Sequence, residues 1–218
     1  MRRHGWLRAA ALGLLVVMTS GCIGAVDRAD FEHELRGRGG GLDGALADSA
    51  LAALRERLGT GEVQANVILL TAPNSTGFRL VLSDQPDQVT RFFAAHPDTT
   101  ARQAAVRLRV RGEPGARRLD DYCFTLGALG TAEPVRVSAF DDLDGEGFTT
   151  GEVTGLSRLT EIVDTALARS ELPDGQVTVI VVSRFGREIR MVANVSSPRT
   201  EMIAEFDRTG AFLRIQQA

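Results

Sequence analysis

The chain has 218 residues with 25 basic against 28 acidic, a net charge of −3, and every basic residue is Arg. That mild acid surplus argues against nucleic acid or an anionic membrane surface as the main partner. An apolar share of 44% allows a core without disulfide staples, in one domain or two small ones.

Arg2, Arg3 and Arg8 precede an apolar run from Ala9 to Met18, and Thr19-Ser20-Gly21-Cys22 follows. A basic start, an apolar core and small residues before a cut site describe a secretory signal peptide over residues 1–21. An uncleaved spanning helix is the competing reading, since residues 9–26 carry no charge. Thr19, Ser20, Gly21, Cys22 and Gly24 dilute that helix. The cysteine behind its small residues resembles the lipobox of bacterial lipoproteins, with Thr19 standing where Leu is commonest. The resemblance covers residues 1–22. It implies cleavage before Cys22, acyl chains such as palmitate on its thiol, and a lipid anchor at the extracytoplasmic face of the cell membrane. Two chains hold such a protein stably, one only marginally. The absence of Lys, with abundant Ala and Gly, resembles coding from a GC-rich, actinobacterium-like genome.

Residues 22–41 read as a tether with a short helix, Phe31 and Leu35 sharing a face over Asp30 to Arg36. Gly39-Gly40-Gly41 ends it. Ala47, Ala50, Leu51, Leu54 and Leu58 form one stripe and predict a helix from Asp43 to Leu58, with Gly59 closing it. Glu62 to Thr71 is a strand, apolar on both faces toward its end. Within 72–103, Phe78, Leu80 and Leu82 alternate as a strand, and Asp87 to Ala95 reads as a short helix ending before His96-Pro97. Leu156 to Ser170 repeats the helical stripe through Leu159, Val163, Ala166 and Leu167. Pro173-Asp174-Gly175 turns into a strand from Gln176 to Ser183, with Val177, Val179 and Val181 on one face. Ile189, Met191, Ala193 and Val195 alternate next. A strand from Met202 to Phe206, a turn at Asp207 to Gly210 and a strand from Ala211 to Ile215 finish the chain.

The two halves match in order. Residues 61–67 match 175–181, Val106 to Val110 match Ile189 to Ala193, and Phe124 with its turn matches Phe206. The wider spacing in the first half marks an insertion at about 72–103, read either as a functional insert or, in preference, as an extra hairpin covering a sheet edge. The expected fold class is therefore α+β: two tandem copies of a helix followed by a three- to four-stranded antiparallel sheet, after the signal peptide. The first copy takes residues 42–139, an acidic, solvated linker 140–154, and the second copy 155–218. This order of elements is similar to tandem PepSY-like or β-lactamase-inhibitor-like arrangements of exported bacterial proteins, over most of residues 42–216. No residue-level motif comes with that likeness.

Chemistry-bearing patterns are few. Placing Gly145 at position six of an EF-hand loop puts Asp142 and Asp144 on ligand positions but Phe140 and Gly151 on the first and last, which fails. Beyond the leader the histidines are His33 and His96, with no paired metal-ligand spacing and no Gly-x-Ser-x-Gly elbow. Asp120 and Asp121 point to opposite sides of a strand and read as solvated turn ends. With Cys22 carrying lipid, Cys123 has no partner and reads as a buried weak hydrophobe. No catalytic, cofactor or metal site is expected, and the chain is not read as an enzyme. Arg107, Arg109 and Arg111 alternate with Val106, Leu108 and Val110. That places three guanidinium groups on one outward face, which Arg102 and Arg136 extend. Such a row suits carboxylate or phosphate groups of a partner, or is a solvent face answered by cross-strand acids. The expected function is a non-catalytic lipoprotein binding an envelope protein or cell-wall component through a sheet face. An inhibitor or regulator of an envelope enzyme is the alternative, and a hydrolase the third reading.

Overall fold

The computed structural model describes residues 39–73, 75, 85–96, 103–113 and 115–218. The lipobox with Cys22, the expected turns at Asp30 to Arg36 and the strand through Phe78, Leu80 and Leu82 lie outside the described residues. So do His33 and Arg102. Among the described residues, no helix is long and apolar enough to cross a membrane.

Three α-helices are present among these residues: α1 (Gly44–Leu58), α2 (Asp87–Ala95) and α3 (Leu159–Ser170). α1 forms where the apolar stripe predicts it. The Asp43 carboxylate accepts the Leu46 amide at 2.8 Å, and Gly59 closes the helix at φ 65°, a left-handed value that glycine adopts without strain. α3 begins later than its stripe predicts, because residues 154–158 wind as a tighter 3-10 helix. There the Gly155 amide donates to the Arg208 carbonyl at 2.9 Å. A Cβ on Gly155 would sit 2.7 Å from the Gly210 nitrogen, so two backbones touch at this point.

The strands are β1 (Gln64–Thr71), β2 (Ala105–Arg111), β3 (Leu119–Thr125), β4 (Ala128–Leu129) and β5 (Glu133–Val135). They continue with β6 (Phe148–Thr149), β7 (Gln176–Phe185), β8 (Glu188–Ser196), β9 (Glu201–Asp207) and β10 (Phe212–Gln217). All ten belong to one sheet in the order β10-β9-β8-β7-β1-β2-β3-β4, with β5 beside β3 and β6 beside β1. Every pairing is antiparallel. The fold is α+β.

The sheet is apolar on both sides. Its first face carries the larger core, where Ala50, Leu54, Ile162 and Ala166 of α1 and α3 meet Ile68, Leu108, Ile180 and Met191. Its second face gathers Val67, Leu69, Val179, Val181, Val192 and Ile203 under Val89 and Phe92 of α2. Two bulges sort residues between the faces. The register slips between Ala65 and Val67 and between Val177 and Val179, so one extra residue turns each strand over. Val177 accordingly joins the first core while Val179 and Val181 join the second. The expectation that all three share a face is corrected by that bulge.

Two further expectations change. The described part of the insertion, α2, lies on the second face rather than along an edge, because Val89 and Phe92 bury their side chains there. The acidic segment 140–154 is not a solvated linker. Asp141 and Leu143 are buried and β6 pairs with β1.

One end of the sheet collects the β2–β3, β5–β6, β7–β8 and β9–β10 connections, as the registers require. This end is the loop rim. At the opposite end Gly40 stands against Ala72 and Pro73, so the segment leading back to Cys22 joins the body far from that rim.

Candidate functional site

The β2–β3 register sets Arg109 directly opposite Asp121 and Arg107 opposite Cys123. Arg109 is 1% exposed. Its Nε donates to Asp121 Oδ1 at 2.8 Å and Nη2 to Oδ2 at 2.7 Å, a two-pronged pairing. Nη1 reaches the Gln88 carbonyl at 3.2 Å and its side-chain oxygen at 3.3 Å. The guanidinium carbon lies 5.0 Å from the centre of the Phe92 ring. His96 Nε2 lies 3.1 Å from Asp121 Oδ2; an ionised carboxylate only accepts, so the ring donates. Burial pushes the Asp121 carboxyl up, but the hydrogen bonds and charges of Arg109 and His96 outweigh it and hold it below the usual carboxylate range.

The arginine row expected to face solvent is therefore roofed. Arg111 is buried and pairs with Asp144 at 2.6 Å. Arg107 is half-buried, and its Nη1 has no hydrogen-bond partner among the described residues. Arg136 alone of the described set is exposed. Alternation placed these side chains on one face correctly. It missed the roof, because α2 and the acidic loop come from remote stretches of chain.

The roof is built from charges at both of its ends. Pro86, at the start of α2, supplies no side-chain cap. Instead Glu146 Oε2 accepts the Gln88 amide at 3.0 Å, taking the place of a local cap. Burial raises the Glu146 carboxyl against the pull of that amide. Arg91 holds Asp141 at 2.6 Å. Burial pushes Asp141 up, and the Ser138 amide and Arg91 more than reverse it. Arg117 Nη2 donates to the carbonyls of Ser138, Ala139 and Asp141 at 3.0, 3.2 and 3.0 Å. Asp141 Oδ2 accepts the Ser138 amide at 2.7 Å. Between these clamps Phe140 is 97% exposed.

Other groups with chemical potential are confined. Cys123 is half-buried; burial pushes its thiol up, with Arg107 pulling the other way, which lowers its thiolate fraction. Asp120 and Asp121, expected as solvated turn ends, are each 6% exposed. β3 sends Asp121 under α2, while Asp120 lies 3.4 Å from Arg118. Among the described residues no three His, Cys, Asp or Glu side chains are grouped to hold a metal ion.

Two cavities open along the loop rim and share Glu152. The larger, about 430 Å³, lies between the β7–β8 and β9–β10 hairpins, with Arg184, Arg187 and Arg208 in its wall. The smaller, about 220 Å³, includes Asn66, Arg111 and Asp144. Sequence reasoning missed Phe140 and this rim. The signals were an aromatic beside an acidic run, and single arginines in separate hairpins.

No family model and no curated protein matches the chain. A solved structure described as a "putative lipoprotein" from Clostridium difficile 630 superposes with a TM-score of 0.45 at 7% identity, covering 79% of this chain and 92% of that one.

Proposed function

We propose that this chain is an extracytoplasmic lipoprotein, anchored at the cell membrane through Cys22, that performs no catalysis and binds an envelope protein through the loop carrying Phe140. The pattern from Arg2 to Cys22 supports the anchor. The observation that carries the binding reading is Phe140 itself, a ring 97% exposed on backbone fixed by Arg117 and Asp141. Burying a Phe side chain is worth roughly 1.5–3 kcal/mol. Backbone already held in place loses little further freedom when a partner covers the ring, which gives up only its own rotamers. The arginine row is withdrawn from this role, since Arg109 and Arg111 are committed to Asp121 and Asp144.

Absence of catalysis is supported by the state of the one histidine–carboxylate pair among the described residues: both Asp121 oxygens accept from Arg109. A second reading, occlusion of an envelope enzyme, is favoured by the same loop, because a lone projecting ring suits a cleft better than a flat surface. A duplicated origin is supported by the bulges. Leu69 faces Val181 where β1 meets β7, and the extra residue falls three positions before each, at Asn66 and Thr178. The sequence match sets Val63 against Val177, whereas the bulges set Ala65 against Val177. That two-residue shift preserves the face.

Native extraction of membranes tests both parts. Cys22→Ala should keep residues 1–21 and lack the acyl mass; maturation to an unchanged mass with membrane retention would overturn the anchor. Phe140→Ala should lose the protein that co-purifies with the wild type, while Arg107→Ser keeps it. Equal recovery with Phe140→Ala would remove the loop from the interface.

A further inference from the structure

We propose that the larger rim cavity binds a sugar carrying an oxyanion, either phosphate or carboxylate. Its acids and bases are unequally committed. Asp207 Oδ1 already accepts from the Thr209 amide at 2.8 Å, the Thr209 hydroxyl at 2.7 Å and the Ala211 amide at 3.0 Å. Glu152 Oε2 accepts from the Thr149 amide at 2.8 Å and its hydroxyl at 3.3 Å. By contrast, the guanidinium groups of Arg187 and Arg208 make no hydrogen bond or salt bridge among the described residues, although the charge of Arg208 helps to lower the Asp207 carboxyl, and both residues are exposed.

Arg184 lines the same opening. Its Nε donates to the Gly147 carbonyl at 3.0 Å and Nη1 to the Arg187 carbonyl at 3.3 Å, which fixes its plane. Its Nη2 has no such partner. Arg184, Arg187 and Arg208 therefore line one 430 Å³ opening with donors to spare, and such forks match carboxylate and phosphate geometry.

The rest of the wall suits a sugar more than a bare ion. Glu152 keeps its Oε1 outside the cap hydrogen bonds, and among the described residues Glu188 has one salt bridge, from Oε2 to Arg190 at 3.5 Å. Free carboxylate oxygens accept hydroxyl protons. Leu213, 48% exposed, offers an apolar surface beside them. The volume lies within the range of small-molecule clefts. The site shares no residue with the Phe140 loop and stands whether or not that loop binds a protein.

The test is calorimetric titration of the detergent-extracted full-length protein with glucose 6-phosphate, glucuronate, glucose, inorganic phosphate and phosphatidylglycerol micelles. Expected are saturable binding of at least one anionic sugar and none of glucose. In Arg187→Ser/Arg208→Ser that affinity should fall about tenfold or more. Both positions are exposed, so the melting temperature should hold, and Arg187→Ser alone gives a second reading. No saturable binding, equal binding of glucose, or unchanged affinity in the variants would overturn the proposal. Inorganic phosphate binding as tightly as the sugar phosphate would reduce it to an adventitious ion only. Tighter binding of phosphatidylglycerol would make it a headgroup site and overturn the sugar.

Discussion

Arg109 and Asp121 are adjacent on the sheet and buried together, so neither can lose the other cheaply. Coulombic attraction in such a place is largely offset by the cost of removing both ions from water. The damage comes from breaking the pair. Arg109→Ala leaves the Asp121 carboxylate with His96 alone and empties the space over Phe92. We expect about 3–5 kcal/mol of lost stability in urea unfolding. A loss below 1 kcal/mol would mean that water reaches Asp121 in the native state. The pH dependence follows from the same contacts. The folded carboxyl titrates below its unfolded value, so its contribution is whole above about pH 4 and is lost as pH falls through the lower folded value. Asp121→Asn should flatten the acid limb of the stability profile, and a profile parallel to wild type would assign that limb to other carboxylates.

Nine residues make α2 too short to persist alone. It holds by the burial of Val89 and Phe92 and by a cap contributed from Glu146. Glu146→Ala should therefore raise amide exchange at 87–90 about fivefold, the worth of one cap near 1 kcal/mol, while β1 and β7 stay protected. Glu146→Gln keeps an acceptor and sheds a half-buried charge, so its exchange should stay near wild type. Equal exchange in both variants would show that burial alone seats the helix. The limits of α2 were legible from Asp87 to Ala95, and α1 was legible because Ala47, Ala50, Leu51 and Leu54 recur at helical spacing. Its address in the fold was not. Nothing within 87–95 says which side of a sheet it covers, and Glu146 is remote in sequence. The bulges at Asn66 and Thr178 escaped for a related reason: one inserted residue leaves the run apolar while inverting its faces. A usable hint was present. Leu69-Leu70 and Ile180-Val181-Val182 are unbroken apolar runs, the mark of strands covered on both sides. Applied to the neighbouring β2, that hint would have put Arg109 indoors.

At the scale of the whole chain, the two halves expected as separate copies share one body. β1 and β7 pair along Ile68 to Thr71 at the middle of the sheet. The larger core runs unbroken from Leu54 and Leu108 of the first half to Ile162 and Phe206 of the second. Cutting between them would strip β7 of a neighbour and leave Val179 and Val181 without Val67 and Leu69 beside them on the second face. Such an apolar edge promotes association rather than independent folding. The described body should accordingly melt in one transition, with calorimetric and van't Hoff enthalpies equal. Residues 155–218 expressed alone should give a collapsed, poorly dispersed NMR spectrum or aggregate. Two resolved transitions, or a well-dispersed spectrum from that fragment, would mean that each half holds its own core and that the β1–β7 seam is only a contact between finished units.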